Sequence, residues 1–431
     1  MQSIHHEQVQ ETVYHQSLAN GLAVYVLPKR GFHKTYATFT TRFGSVDRTF
    51  RRADGEKITV PDGIAHFLEH KMFEQESGED VFQQFALQGA SANAFTSFTR
   101  TTYLFSCTDN VKANLETLLD YVQSPYFTDE NVEKEKGIIG QEIRMYDDAP
   151  DWQSYFGLIR AFYHHHPVKI DIAGTVESIQ AITKEVLYQC YETFYHPSNM
   201  LLFVVGAVNP DEVFAWVEEN QARKEFPPLF KIERFFPDEP DTVANKKTVK
   251  HLPVGVSKCM FGFKEAANAL GKKGDEALKQ ECVTNILLEA LFGNGAEFYR
   301  SLYDEGLIDE QFGYDYTLEN GFGFTIIGGD TPDPERLIER VENEIPKFVD
   351  KGLTEEAFLR IKKKRIGGAL RLLNSLEWIA NQFTQYRFLG TDLFRTLPLL
   401  ESITYADVQQ RAQELFDLER MAVSVVTSKA N

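Results

Sequence analysis

The sequence predicts an α+β fold in which two related domains each combine a mixed sheet with packed helices. Three observations lead to this prediction: a length of 431 residues, a repeated order of elements, and a proline-rich stretch between the repeats. A chain of this length exceeds what one hydrophobic core usually supports, so two or more domains are expected. Hydrophobic residues make up 43% and charged residues 25% of the chain, which is typical of a folded soluble protein.

The first half of the chain alternates predicted strands and helices. Residues 21–28 and 34–47 alternate apolar and polar side chains, which predicts two strands, and residues 90–107 predict one or two more. Helical periodicity then predicts helices at 111–123, 129–146, 154–163 and roughly 176–194. The apolar run at 200–208 predicts a buried strand that ends this half.

A linker is predicted in the region 223–245. Residues 223–241, RKEFPPLFKIERFFPDEPD, contain four prolines and show little periodicity. After this region the order of elements returns, with predicted strands at 256–263, 321–329 and 421–428 and helices from about 275 and over 333–386. The repetition predicts domains at 1–222 and 246–431, and only the first contains the histidine motif described below.

Composition excludes several classes of function. The net charge of -18 argues against nucleic acid and anionic membrane surfaces as the main partners. No stretch reaches the apolar length of a membrane span, and the N-terminal residues show no secretion signal. The cysteines are far apart and predict neither a disulfide framework nor a thiolate metal site. A reducing cytoplasm is therefore the expected location.

The segment at residues 63–75, GIAHFLEHKMFEQ, predicts a helix with two histidines one turn apart. At about 100° per residue, its apolar side chains share one face, and His66, Glu69 and His70 lie on the other. Histidines at i and i+4 can ligate one zinc ion, and Glu69 lies where a carboxylate can take a proton from water. A solvated polar face is the alternative for these three residues alone. Asp62 is expected to cap the helix.

A third ligand is expected, because catalytic zinc usually has three protein ligands and one position for water. In the predicted helix at 130–146, Glu135 and Glu142 lie one heptad apart within the apolar stripe. Buried carboxylates are costly unless a cation or hydrogen bonds compensate them, and a zinc ion would do so. The alternative is that both glutamates lie at the edge of the stripe and reach water.

These residues resemble the pitrilysin/insulinase family of zinc metallopeptidases, which includes mitochondrial processing peptidase. The run His66-Phe67-Leu68-Glu69-His70 is similar to the inverted zinc motif of the family, and a glutamate follows 76 positions after His66. That glutamate is Glu142. Members of the family carry a further glutamate seven positions before it, and Glu135 stands at this position here. The blocks at 89–105 and 165–208 also match. The resemblance covers nearly the whole chain and is strongest to the bacterial YmfH-like branch.

The resemblance implies a set of roles for these residues. His66, His70 and Glu142 would bind Zn2+. Glu69 would activate the attacking water as general base, and Glu135 would orient the ligands. The implied activity is that of a zinc metalloendopeptidase acting on unstructured peptides or presequence-like segments. The implied fold is a clamshell of two α+β domains around a chamber.

The strand predicted around Asn93, Ala94 and Phe95 resembles the substrate-binding strand of the family. A peptide would add beside it as a further strand, which would select extended substrates. Asn93 has the alternative role of an ordinary strand-end residue.

One segment of the second domain departs from the family pattern. Active members usually carry an arginine and, about seven residues on, a tyrosine that stabilise the oxyanion and hold the substrate. In FYRSLYDEGLIDEQFGYDY (298–316), Tyr303 stands at the arginine position and Asp309 near the tyrosine position, while Arg300 and Tyr314 are fourteen apart. This departure suggests a dimer in which a paralogous chain supplies the arginine and tyrosine. The alternative function is a zinc-binding but catalytically weak structural subunit.

The run His164-His165-His166 is a second candidate metal cluster. Consecutive residues cannot share one helix face, so ligation there is not expected. The run is expected to flank a loop before Pro167.

Overall fold

The structure of the protein is a computed structural model that describes residues 1–429. Its strands are β1 (Gln2–His6), β2 (Glu11–Ser17), β3 (Ala23–Pro28), β4 (Thr35–Thr41), β5 (Thr49–Arg51), β6 (Lys57–Thr59), β7 (Ala90–Thr96), β8 (Thr101–Cys107), β9 (Met200–Gly206), β10 (Glu233–Arg234), β11 (Lys247–His251), β12 (Ser257–Phe263), β13 (Gly313–Glu319), β14 (Phe322–Thr331) and β15 (Met421–Thr427). No helix within the described range is both long and apolar enough to cross a membrane.

The α-helices complete the description of the elements. They are α1 (Ile64–Lys71), α2 (Val81–Leu87), α3 (Val111–Val122), α4 (Asp129–Asp147), α5 (Pro150–Phe162), α6 (Val176–Gln180), α7 (Lys184–Phe194), α8 (Pro210–Ala222), α9 (Asp275–Phe292), α10 (Glu297–Asp304), α11 (Pro334–Lys351), α12 (Glu355–Leu372), α13 (Leu376–Leu389), α14 (Thr396–Ser402) and α15 (Tyr405–Leu415). The predicted helix at 176–194 is two helices, because Thr183 caps a new N-terminus by accepting from the backbone N–H of Val186.

The described chain forms two compact units whose segments are interleaved. The first unit contains residues 1–143, 171–236 and 372–388, and the second contains residues 144–170, 237–371 and the chain from 389 onward. They differ from the continuous halves 1–222 and 246–431 predicted from the sequence. Helix α5 belongs to the second unit because it packs against β11, β12 and β15. Helix α13 belongs to the first, where Phe383 contacts the rings of Tyr25 and Phe203.

The first unit is built on a seven-stranded sheet in the order β1-β2-β3-β9-β4-β8-β7. Every residue of the central strands β4 and β9 is buried, which agrees with the apolar run predicted as a buried strand. The segment at 90–107 is two antiparallel strands, β7 and β8, and among the described strands β7 pairs only with β8. One long edge of β7 is therefore unpaired, and β7 itself is in contact with α1.

The sheet of the second unit repeats five adjacent strands of this sheet. Its strand order is β11-β15-β12-β14-β13. The first pair is parallel and the next three are antiparallel, as in the β3-β9-β4-β8-β7 part of the first unit. The prediction of two related α+β domains is confirmed by this shared topology.

Part of the predicted linker at 223–245 is ordered as a strand of a small sheet in the first unit. Its strand β10 pairs with β5, which also pairs with β6, to form three strands. The guanidinium of Arg234 in this strand donates to Oδ1 of Asp47 at 2.7 Å. A short strand among four prolines has no periodicity of its own, so it could not be predicted from the sequence pattern.

Candidate metal centre

Helix α1 begins at Ile64, directly after a glycine that the geometry requires. Gly63 has a φ of 85°, and a side chain here would overlap the carbonyl group of Ala173. The prediction that Asp62 caps this helix is wrong. The N-cap position is Gly63, which has no side chain to accept a hydrogen bond, and the carboxylate of Asp62 is paired with Arg48. The apolar face of α1 is buried as expected.

The described structure brings His66, His70 and Glu142 together. Nε2 of His66 lies 3.7 Å from Oε1 of Glu142, and Nε2 of His70 lies 3.6 Å from Oε2 of the same carboxylate. One donor atom from each residue lies within 4.8 Å of the other two. Ligand atoms about 2.0–2.2 Å from a tetrahedral zinc ion lie roughly 3.4 Å from one another. The observed separations and the two-imidazole, one-carboxylate donor set therefore fit a zinc ion.

Burial and neighbouring carboxylates act differently on the two histidines. Burial lowers the pKa of His66 to about 4, so its imidazole is neutral at neutral pH. For His70, burial opposes the charged form, but the hydrogen bond to Glu135 and the neighbouring carboxylates raise its pKa. Nδ1 of His70 lies 3.0 Å from Oε1 of Glu135 and donates to it. This bond leaves Nε2 of His70 directed at Glu142.

Glu135 is a buried acid with compensating partners. Its side chain is 7% exposed, and Oε2 lies 3.8 Å from the ammonium of Lys71. Burial alone would raise the pKa of Glu135, but the bond from His70 and the charges of Lys71 and Lys134 hold that pKa below its usual value. Glu135 is thus an anion that can orient the His70 ring, the role that the resemblance implies.

Glu69 lies beside these groups in a setting suited to proton transfer. Its Oε2 accepts a hydrogen bond from Oγ1 of Thr96 at 2.6 Å. Burial raises the pKa of Glu69 to about 7, although the bond from Thr96 acts in the opposite direction. A carboxylate with a pKa near the working pH can both accept and return a proton. Thr96 was not predicted as a site residue, because nothing local in the sequence indicates its contact with α1.

Asn93, Ala94 and Phe95 lie in the middle of the edge strand β7. They face Leu104, Tyr103 and Thr102 of β8 in the register of the sheet. Asn93 is exposed, and its side-chain oxygen accepts from the backbone N–H of Ala94 at 2.9 Å. The strand itself is as predicted, and the binding of substrate along it stays a prediction.

Three residues of the segment that departs from the family pattern lie around one cavity of the second unit. Arg300, Tyr303 and Tyr314 line this space of about 660 Å³. The hydroxyl of Tyr314 donates to Oε2 of Glu289 at 2.6 Å, and Arg300 donates to the carbonyl of Gly295 at 3.3 Å. These contacts give both side chains partners within their own unit.

The backbone of the three consecutive histidines binds a carboxylate. The backbone N–H groups of His164, His165 and His166 donate to the carboxylate of Glu239 at 2.8, 2.7 and 2.8 Å. Within residues 1–429, the histidine and acid side chains spaced to hold an ion are only those of α1 and α4. The run lies in a loop directly before Pro167, as expected.

Two family sequence patterns match the chain. The insulinase pattern, peptidase family M16, matches residues 56–176, which contain α1 and the glutamates of α4. The pattern described as the peptidase M16 inactive domain matches residues 181–365.

Similar proteins are named as zinc proteases. "Uncharacterized zinc protease YmfH" of Bacillus subtilis (strain 168) is 55% identical over 428 residues, which cover 99% of each chain. "Uncharacterized zinc protease YmxG" of the same organism is 27% identical over 331 residues, 74% of this chain and 76% of that protein.

Solved structures agree with this relationship. The crystal structure of an M16-like peptidase from Alicyclobacillus acidocaldarius has a TM-score of 0.94 at 46% identity, covering 97% of this chain and 99% of that one. A protease from Helicobacter pylori has a TM-score of 0.83 at 20% identity, covering 96% and 99%, and shows a shared fold. These matches, together with the two helices that carry the histidines and glutamates, mean that the chain belongs to the insulinase family of peptidases, family M16.

Proposed function

We propose that the protein is a zinc metalloendopeptidase that hydrolyses peptide bonds in unstructured peptides or presequence-like segments. The observation that carries the proposal is the arrangement of His66, His70 and Glu142 around one point, with the carboxylate of Glu69 beside them. Relatives named as zinc proteases support the same reading.

Each polar side chain of the site has a distinct task in this reaction. His66, His70 and Glu142 would hold zinc, which supplies polarisation of the scissile carbonyl and a lower pKa for the attacking water. Glu69 accepts a proton from the attacking water and returns it to the leaving nitrogen. Thr96 fixes the carboxylate of Glu69 through its hydrogen bond to Oε2.

The unpaired edge of β7 would position the substrate. An extended peptide can pair its backbone with this edge as an added strand, which places a peptide bond near α1. Segments that are already helical or paired in a sheet cannot do so, and this selects unstructured substrates. Asn93, Ala94 and Phe95 lie in the middle of this edge and would form the strand-pairing contacts.

A paralogous partner would complete the site. An arginine and a tyrosine seven positions apart are missing from residues 298–316, and loss of one oxyanion-stabilising donor costs on the order of a hundred- to a thousandfold in rate. A heterodimer with a chain that carries this pair, located in the cytoplasm, accounts for the departure. The second candidate is a zinc-binding structural subunit with weak activity. The hydrogen-bonded, buried carboxylate of Glu69 favours the enzyme, because a purely structural zinc site has no use for it.

A peptide assay with a metal chelator tests the proposal. The purified chain is incubated with a fluorogenic unstructured peptide, alone and with its paralogue, and each sample is measured with and without chelator. We expect cleavage that chelator abolishes and added zinc restores. Metal analysis verifies that the chelator has removed the zinc. Cleavage that continues in such a zinc-free sample would contradict the assignment.

A further inference from the structure

Lys71 is a fully buried lysine directly after the second histidine. Its side chain has an exposed fraction of 0%, which is rare for a charged residue and requires compensating partners. The ammonium lies 2.8 Å from Oε2 of Glu74 and 3.8 Å from Oε2 of Glu135. The metal chemistry described above does not involve Lys71, so its burial needs another explanation.

The contacts of Lys71 form a chain of alternating charges that ends at the metal centre. At the outer end, Lys134 lies 3.6 Å from Oε1 of Glu74. Glu74 contacts Lys71, Lys71 contacts Glu135, and Glu135 accepts from Nδ1 of His70 at 3.0 Å. Lys71 is the buried cation in this chain, whereas the side chain of Lys134 is 68% exposed.

The charge of Lys71 has a specific use at this position. The side chain of Glu135 is 7% exposed, so its carboxylate has little access to water. Without a cation behind it, this anion would gain by turning toward water, and its bond to the His70 ring would be lost. The partners that hold a ligating histidine typically change metal affinity by about 10- to 100-fold when removed.

We propose that Lys71 is a positioning residue of the metal centre, which anchors the carboxylate of Glu135 so that this carboxylate fixes the ring of His70. The inference rests on one part of the proposed function, which is the binding of zinc by the two histidines and Glu142. Because Lys71 acts through Glu135, its removal weakens zinc binding by about tenfold, at the lower end of the range for such partners.

A purely structural role is the competing explanation. The backbone N–H of Glu74 donates to the carbonyl of Lys71 at 3.2 Å, so the ion pair between these residues also stabilises the turn after α1. If Lys71 served only this turn, its replacement would lower thermal stability and leave zinc affinity unchanged.

Competition with a chromophoric chelator at fixed pH measures the zinc dissociation constant of the full chain and separates the two roles. We expect Lys71→Met to bind zinc about tenfold more weakly and Lys71→Arg, which keeps the charge, to recover most of the loss. In a Glu135→Gln background, Lys71→Met should cause little further change, because both changes interrupt one path. The visible spectrum of the cobalt-substituted Lys71→Met protein should also differ from that of the unaltered chain.

The matched control is Lys264→Met in the second unit. The side chain of Lys264 is 3% exposed and pairs with Glu239, so its loss tests the effect of removing an equally buried lysine. We expect this variant to lose thermal stability and to retain the unaltered zinc affinity.

The possible outcomes distinguish this inference from the proposed function. Unaltered zinc affinity of Lys71→Met, or a full additional loss in the Glu135→Gln background, would overturn the positioning role while leaving the zinc site intact. Failure of the unaltered chain to bind zinc would overturn the proposed function as well. If Lys71→Met does not fold, Lys71→Gln, which also removes the charge, is measured against the same expectation.

Discussion

At the scale of single residues, the candidate metal centre contains two buried acids, Glu69 and Glu135, whose positions are set by their partners. The carboxylate of Glu69 is held by Thr96, and that of Glu135 by His70 and Lys71. Burial alone would favour neutral acids, so the chemistry of each carboxylate depends on which partner it has. A substitution at each position should therefore affect a different property of the protein.

Glu142→Ala should remove most of the bound zinc. The variant leaves two imidazoles without the carboxylate that lies 3.7 and 3.6 Å from their Nε2 atoms, and two ligands hold zinc weakly. Metal analysis after dialysis measures the loss. The control is Glu133→Ala, an exposed position on the same helix, which should keep its zinc. Full zinc retention in Glu142→Ala would show that another residue is the ligand.

Glu69→Gln should keep zinc and lose peptide cleavage. The amide cannot accept the proton of the attacking water, and a positioned general base typically contributes about 100- to 10,000-fold in rate. Peptide turnover and zinc content are measured on the same preparation. Glu76→Gln, an exposed change close by in the chain, serves as control. Turnover at the unaltered rate in Glu69→Gln would assign the base to another group.

At the scale of elements, carboxylates also fasten loops and helices of the second unit. The loop at 164–166 directs three backbone N–H groups at Glu239, which also accepts from Lys264. Burial acts against the charged form of Glu239, but these hydrogen bonds lower its pKa to about 2. The loop therefore depends on the ionised carboxylate.

Glu239→Gln should lower the free energy of unfolding by about 1.5–3 kcal/mol at neutral pH, the usual range for hydrogen bonds to a charged group. The pKa of Glu239 is lower in the folded chain than its usual 4.5. Its contribution is therefore present above that value and is lost as the pH falls toward 2. Thermal unfolding is measured at a series of pH values. The loss of thermal stability on acidification should be smaller for the variant than for the unaltered chain. Glu419→Gln, an exposed change, should not alter the profile.

A buried ion pair joins helix α15 to the strand layer of the second unit. Arg411 is 4% exposed and pairs with Glu265, which is 2% exposed, and it also donates to Oγ1 of Thr284 in α9 at 2.8 Å. Removing one partner of such a pair leaves an uncompensated buried charge, whereas replacing both by apolar groups is often neutral.

Arg411→Met should therefore lower the free energy of unfolding by about 3–5 kcal/mol. The double change Arg411→Met with Glu265→Leu should recover a large part of this loss. Chemical denaturation of both variants measures the difference. Zinc content is the internal control and should not change, because neither residue contacts the metal centre. Equal stability of the single and double variants would contradict this account of the pair.

At the scale of the whole molecule, the proposed activity would depend on an arginine and a tyrosine that this chain does not carry at the spacing expected from the family resemblance. Tyr303 and Asp309 stand near the positions of the arginine and tyrosine, and a carboxylate opposite a developing oxyanion is repulsive. Arg300 and Tyr314 have partners within their own unit. The proposed heterodimer follows from this combination of a complete metal centre and a missing pair of donors.

The single chain should turn over peptide slowly, and addition of the paralogue should raise the rate by about 100- to 1,000-fold. The measurement is peptide turnover at constant zinc with increasing amounts of the partner chain. A partner in which the arginine and tyrosine are both replaced is the control and should bind without activating. The size of the purified chain in solution shows whether it is a monomer or a homodimer. Fast turnover by either form without the paralogue would end the heterodimer proposal.

Local patterns in the sequence predicted much of the fold and the candidate site. The i, i+4 spacing placed His66 and His70 on one face of a helix, and the apolar stripe of the next long helix directed attention to Glu135 and Glu142. Helical and strand periodicities are local, so most long elements were predicted within a few residues. The strands β1, β2 and β11 and the uncapped start of α1 were missed. Strands β1 and β2 pair with each other as a local hairpin, whereas β11 pairs with the distant strand β15 and Gly63 lies against Ala173.

The sequence by itself determined which residues could carry the chemistry, because side-chain type and helical period require no knowledge of distant neighbours. Only the tertiary structure decided how they meet. The approach of Glu142 to both histidines, the bond from Thr96 to Glu69 and the burial of Lys71 join elements far apart in the chain. Distant contacts also decide that α5 belongs to the second unit and α13 to the first. Such contacts are selected by the packing of whole helices and sheets, in which burial of apolar surface outweighs any local preference.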